Sequence, residues 1–201
     1  MDPGRAGIDI HLQPNYSGHN RSKKGERTVP RRPKPLPEKL YGSTLSWEGW
    51  TFRVLSSGNG LRWIDLNSTS FDQLAETLSV RILPDDQPNR AALDELHEYL
   101  RGERHTFSVA LDIQGTPFRH SVWDALLSIP YGETRAYGDI AHALGKPSAL
   151  RAVGQAVGAN PIPIVVPCHR VVGKDGHLVG FGGGLPLKER LLNLERGSLS
   201  L

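Results

Sequence analysis

A single cysteine, Cys168, stands among 201 residues, and this removes two common ways of holding a small fold together. One thiol forms no internal disulfide, and structural zinc sites built from several thiolates are excluded with it. The fold must therefore rest on buried apolar surface. The chain is long enough for that, as one domain or two small ones, with 38% apolar residues. No apolar stretch approaches the ~20 residues of a membrane span, so no membrane partner is expected. The opening MDPGRAGIDIHLQPNYSG lacks the basic start and apolar block of a secretory signal. The expected location is the cytoplasm, or the nucleus in a eukaryotic source.

The net charge of +3 is unevenly laid out. Residues 1–40 carry nine Lys/Arg against four Asp/Glu and six prolines, with too few apolar residues for a core. This zone reads as a disordered basic arm, either a polyanion contact or a plain solubilising tail. Residues 41–114 have a balance of −5, a poor face for nucleic acid, and residues 115–201 return to +3.

The expected domains are the arm over 1–40, an α/β domain over 41–113 and a separate domain over 114–201. In the α/β domain, short β-branched and aromatic runs at Thr44–Ser46, Thr51–Leu55 and Leu61–Leu66 are separated by Glu48-Gly49 and Asn59-Gly60. Asn-Gly is a strong hairpin signal, so a three-strand antiparallel meander is predicted. Helices are predicted near Phe71–Leu78 and Arg90–Arg101, and Phe107–Leu111 is expected to join the sheet as a last strand.

The final zone reads as mainly helical. Thr116-Pro117 has the form of a helix start, with Thr as cap and Pro at the first helical position. Phe118, Val122, Leu126 and Leu127 form that helix's apolar stripe. Two short helices, Tyr137–Leu144 and Ala149–Val157, flank Gly145-Lys146-Pro147-Ser148, with Ser148 as expected cap. This is helix-turn-helix spacing, here of winged-helix type, though helix pairs also pack in proteins that never touch DNA. Arg151 at the second helix's start favours the DNA reading.

The segment from Asn160 to Val172 holds the only thiol. A free thiol titrates near ~8.5 and reacts poorly at neutral pH unless a base, a cation or a helix N-terminus stabilises the thiolate. His169 and Arg170 are adjacent candidates, but neighbours in an extended chain point apart, so a turn at Cys168 is required. The plain alternative is a buried small hydrophobe for Cys168, a structural histidine and a surface arginine.

Pro167-Cys168-His169-Arg170-Val171, preceded by Asn160-Pro161 and followed by Gly183-Gly184-Leu185-Pro186-Leu187-Lys188, closely resembles the O6-alkylguanine-DNA alkyltransferases. Further matches are Gly115-Thr116-Pro117-Phe118, Trp123, Ile129-Pro130-Tyr131-Gly132-Glu133-Thr134 and Arg151-Ala152-Val153-Gly154. The likeness is dense over 114–196, holds in outline over 41–113 and leaves 1–40 untouched.

The resemblance implies that Cys168 takes the alkyl group from O6-alkylguanine, and from O4-alkylthymine, and keeps it. It implies a relay from Glu195 through His169 and a water to the thiol. Tyr137 would hydrogen-bond the leaving guanine, and Asn160 would brace the turn before the cysteine. The nucleotide must leave the stack, and Arg151 would fill its place. Contact with double-stranded DNA would be through the minor groove, independent of sequence, using Tyr137, Ala149, Arg151 and the small residues Gly154, Ala156 and Gly158.

The expected pocket comprises Pro163, Val171, Val179, Phe181 and Gly182, with the carbonyls of Cys168 and Val171 reading the guanine amine. Gly182 stands where some relatives have a serine. The cysteines that hold zinc in some relatives are lacking, so no metal and no cofactor is expected, and the working unit is a monomer. Three other readings are a damage-binding protein without transfer, a helix-turn-helix regulator and a Cys-His hydrolase. The presence of Cys168, His169 and Glu195 together speaks against the first.

Overall fold

The computed structural model describes residues 37–197. Strand β1 (Lys39–Trp47) turns through Glu48 and Gly49, both at positive φ, into β2 (Trp50–Ser56). That pair of left-handed residues gives a two-residue turn whose twist suits the flanking strands. Trp47 and Trp50 face each other across it with ring centroids 5.5 Å apart. The arm expected over 1–40 ends short of that limit, because Lys39 and Leu40 belong to β1 and Leu40 is buried. The rest of the arm lies outside the described residues.

A second turn at Asn59-Gly60 leads into β3 (Leu61–Asp65), which completes the predicted antiparallel meander. Helix α1 (Phe71–Leu78) starts with Ser70 and Gln73 capping each other's backbone N–H groups. It leads to β4 (Arg81–Pro84), a strand absent from the sequence reading, which pairs parallel to β1 and gives the order β3-β2-β1-β4. Four residues with no clean alternation carry little local strand signal.

The strand expected at Phe107–Leu111 does not form. Only Leu111 makes an isolated parallel bridge to Leu61. The backbone N–H groups of Ser108 and Val109 instead donate to the Glu95 carboxylate at 2.8 and 3.2 Å. With those donors taken by a side chain, no ladder can extend there. Glu95 lies on α2 (Arg90–Leu100), the second predicted helix.

Helix α3 (Pro117–Leu127) begins as expected, with Thr116 Oγ1 accepting from Arg119 N at 3.3 Å. Its stripe needs one correction: Val122, Trp123 and Leu126 are buried, whereas Leu127 is 44% exposed. The helix-turn-helix follows as α4 (Tyr137–Ala143) and α5 (Leu150–Gly158). Ser148 does not cap α5. Ala149 takes the cap position without a side-chain bond, and the turn closes on its own backbone through Ala149 N to Lys146 O at 2.9 Å. The strands beside these helices, β5 (Arg135–Ala136) and β6 (Val171–Val172), are a parallel pair of two residues each.

Helix α6 (Gly184–Glu195) closes the described chain. One apolar core runs through both halves, from Phe52, Val54 and Leu96 to Trp123, Ile162 and Leu191. Trp123 Nε1 donates to Ala156 O at 2.9 Å, fastening α3 to α5.

Candidate active site

The segment between α5 and the cysteine is a tight fold-back held by one side chain. Asn160 Oδ1 accepts from Ile162 N at 3.0 Å while its Nδ2 donates to Val166 O at 2.7 Å. Ile164, inside that loop, sits at φ 75°, a left-handed conformation that a β-branched residue adopts only under constraint. Cys168 N then donates to Val166 O at 2.8 Å, and Cys168–Arg170 form one turn of 3₁₀ helix. This supplies the turn that adjacent chemistry at Cys168, His169 and Arg170 requires.

Cys168 faces a cleft of about 320 Å³. Tyr137, Gly154, Gly158, Asn160 and Pro163 line it from the helix-turn-helix side, and Phe181 and Gly182 from the opposite loop. Most of the predicted residues thus meet at one place. Val171 and Val179 do not line the cleft: both carbonyls accept from Lys188 Nζ, at 2.6 and 2.7 Å. The Cys168 carbonyl accepts from Val171 N within the turn. Ala156 is buried at 2% exposure against Trp123, which removes it from any exposed surface of α5. Arg151 is exposed near the start of α5, and Ala149 is half-buried at its cap.

Behind the thiol lies a buried polar cluster. His169 Nε2 is 2.9 Å from Glu195 Oε1, and both side chains are fully enclosed. His169 Nδ1 is buried with no hydrogen-bond partner among the described residues. Arg170 is not a surface charge. Its guanidinium donates to both Glu195 oxygens at 2.8–3.1 Å and to Ile129 O at 2.6 Å. Gly132 N donates to Glu195 Oε2 at 3.1 Å.

Tyr99, from α2, donates its hydroxyl to Glu195 Oε1 at 2.5 Å and lies 3.2 Å from His169 Nε2. Tyr99 and Lys188 were not singled out from the sequence as site residues, and Arg170 was expected beside the thiol, not on Glu195. A signal for one of them was present: Leu187, Lys188, Leu191, Leu192 and Glu195 fall on one helical face, and a charge inside an apolar stripe needs a buried partner.

The protonation states follow from burial. Desolvation pushes the Cys168 thiol up to about 11, against opposing help from the Asn160 side chain and Lys188. The expected stabilisers His169 and Arg170 have turned to Glu195, and the thiol is protonated at neutral pH. Burial also holds His169 below its ordinary value despite Glu195 beside it, so the imidazole is neutral. Burial works against the Glu195 carboxylate too, but His169, Arg170 and Tyr99 together bring it to about 2. Burial, then the facing thiol, raises Tyr137, which stays a neutral phenol.

Fold and site together define a two-part protein: an α/β half packed on a helix-turn-helix half, with a buried thiol lining a cleft and an ionic cluster beside it. Two adjacent family profiles cover nearly all the described chain. The ribonuclease-like domain of 6-O-methylguanine DNA methyltransferase matches residues 40–113, and its DNA-binding domain matches residues 117–197. The inducible methylated-DNA-protein-cysteine methyltransferase of Bacillus subtilis is 42% identical over 166 residues, 80% of this chain and 93% of the relative.

The crystal structure of the Mycobacterium tuberculosis O6-methylguanine methyltransferase superposes with a TM-score of 0.70 at 40% identity, covering 80% of this chain and 95% of that one. The M. tuberculosis OGT crystallised in complex with DNA gives a TM-score of 0.68 at 41% identity, covering 79% and 93%. The chain belongs to the O6-methylguanine DNA methyltransferase family.

Proposed function

We propose that this chain repairs O6-alkylguanine in DNA by taking the alkyl group onto Cys168 Sγ, once per molecule and irreversibly. The observation that carries this is a buried thiol lining a 320 Å³ cleft, followed in the same turn by an enclosed imidazole whose Nε2 lies 2.9 Å from the Glu195 carboxylate. A thiol at about 11 is a poor nucleophile until a base removes its proton. His169 Nδ1 is that base, reaching Sγ through a water, while Glu195 orients the ring through Nε2.

The S–C bond forms as the C–O6 bond breaks, and Tyr137 donates a proton to the departing guanine, so no charge accumulates on it. The proton left on His169 balances the one spent by Tyr137 and returns it through solvent. Asn160 braces the turn, and Pro163, Phe181 and Gly182 enclose the base. O4-alkylthymine presents a similar alkyl oxygen and is the second expected substrate.

The partner is double-stranded DNA, approached by α5 through the minor groove without sequence preference. Arg151 occupies the space of the flipped nucleotide, with Tyr137, Ala149, Gly154 and Gly158 beside it. A monomer suffices, since every group in this scheme comes from one chain. No described helix is long and apolar enough to cross a membrane, and the cytoplasm of a bacterium is the expected setting.

The test is intact mass after incubation with a duplex containing O6-methylguanine. The wild type gains the mass of one methylene, mapped to Cys168, and stops at one. Cys168→Ala gains nothing. No gain in the wild type, or continued turnover, overturns the reading.

A further inference from the structure

Tyr99 is the one member of the buried cluster that comes from the α/β half, and the reaction scheme above leaves it without a role. Its hydroxyl hydrogen goes to Glu195 Oε1 at 2.5 Å, and its oxygen lies 3.2 Å from His169 Nε2. One phenol therefore donates to the carboxylate and accepts from the imidazole. Oε1 is crowded, since it also accepts from Arg170 NH2 at 2.8 Å and stands 2.9 Å from His169 Nε2. Each donor on that oxygen lowers the charge available to the others.

We propose that Tyr99 is a positioning residue for the transfer reaction: its hydroxyl, bridging Glu195 and His169, keeps hydrogen on Nε2 and holds the imidazole neutral, leaving Nδ1 open as the base. By filling Oε1, the phenol denies it to an imidazolium. By accepting from Nε2–H, it gives the neutral tautomer with Nδ1 bare a second partner. Burial and the neighbouring Glu195 raise Tyr99 well above the ordinary phenol range, so it remains a donor throughout.

Every charged or titratable neighbour of His169 enters this balance. Glu195 and Lys188 act from α6, Cys168 and Arg170 from its own turn, and Tyr99 from α2. Phe181 packs against the imidazole at 6.4 Å between ring centroids, and Tyr131 stands behind, edge-on to Tyr99. Lys188 and Arg170 already disfavour imidazolium, and Glu195 alone favours it. Tyr99 acts by weakening that one favourable partner.

This rests on the relay proposed above, and the experiment separates the two. Methyl-transfer rates to Cys168 are measured from acid to alkaline pH for the wild type, Tyr99→Phe and Tyr99→3,5-difluorotyrosine. The ring ¹⁵N shifts of His169 are read on the same unreacted proteins. Tyr99→Phe keeps the ring packed on Phe107 and Tyr131 and removes only the hydroxyl.

His169 should then titrate higher, moving the acid limb of the rate profile up by about one pH unit. That is a loss of about tenfold on the acid side, with an alkaline plateau within about twofold of wild type. The difluorinated phenol, a stronger donor of nearly the same shape, moves the limb the other way and decides the matter alone if Tyr99→Phe does not fold. An unmoved limb, a loss uniform across pH, or hydrogen on Nδ1 in the wild type overturns the proposal. Absence of methyl uptake by the wild type overturns the relay reading instead, while the ¹⁵N shifts still test Tyr99.

Discussion

Glu195 Oε1 takes hydrogen bonds from Tyr99 and Arg170 and faces His169, within a site whose side chains are fully enclosed or nearly so. A buried carboxylate so well supplied is a store of pH-dependent stability. Its folded value of about 2 lies below the ordinary 4.5, so its contribution is complete above 4.5 and is lost as pH falls toward 2. The size is about 3 kcal/mol, from 1.36 kcal/mol per pH unit. His169 adds to the same acid sensitivity. Its depressed value means that stability begins to fall once pH drops below the ordinary 6.5. Urea unfolding at neutral and acid pH should show this slope in the wild type. Glu195→Gln should lose the lower part of the slope and, at neutral pH, cost about 3–5 kcal/mol, because Arg170 is left buried without its carboxylate. An equal acid slope in both proteins would refute the assignment.

The elements that hold the site were legible in the sequence where their signals are local. The Thr116 cap, the Glu48-Gly49 and Asn59-Gly60 turns and the helical spacing of α2 lie within a few residues of what they determine. Strand β4 and the segment after α2 were not legible, because a parallel partner on β1 and a carboxylate on α2 decide them. The start of α3 permits a test of one such local signal against one tertiary contact. Thr116→Ala removes the cap and should cost about 1 kcal/mol. At Gly115 an added Cβ would lie 2.6 Å from the Trp123 ring, which its bond to Ala156 O holds in place. Gly115→Ala should therefore cost about 1–3 kcal/mol by overpacking, measured by thermal unfolding with both variants side by side. If Gly115→Ala proves harmless, Trp123 is freer than its contacts suggest.

At the scale of the whole molecule, charge and core divide differently. The core is continuous across both halves, whereas the positive charge is concentrated at the two ends of the sequence. Deleting residues 1–36 removes the basic arm but spares Glu38, which bonds Arg62 at 2.8 Å and accepts from Arg81 N at 2.7 Å. If the arm touches phosphates, the deletion makes the salt dependence of DNA binding shallower, because counterion release scales with phosphate contacts. An unchanged slope identifies it as a tail. The sequence by itself determined the family, the cysteine proposed as the alkyl acceptor and most elements, because motifs, caps and hydrophobic period act over short distances along the chain. Only the tertiary structure decided the protonation of the thiol, the burial of Arg170 and Lys188, the exclusion of Ala156 from the surface and the arrival of Tyr99 from the other half. Desolvation and the pairing of buried charge depend on what packs around a group, and those neighbours lie up to 96 residues away in the chain.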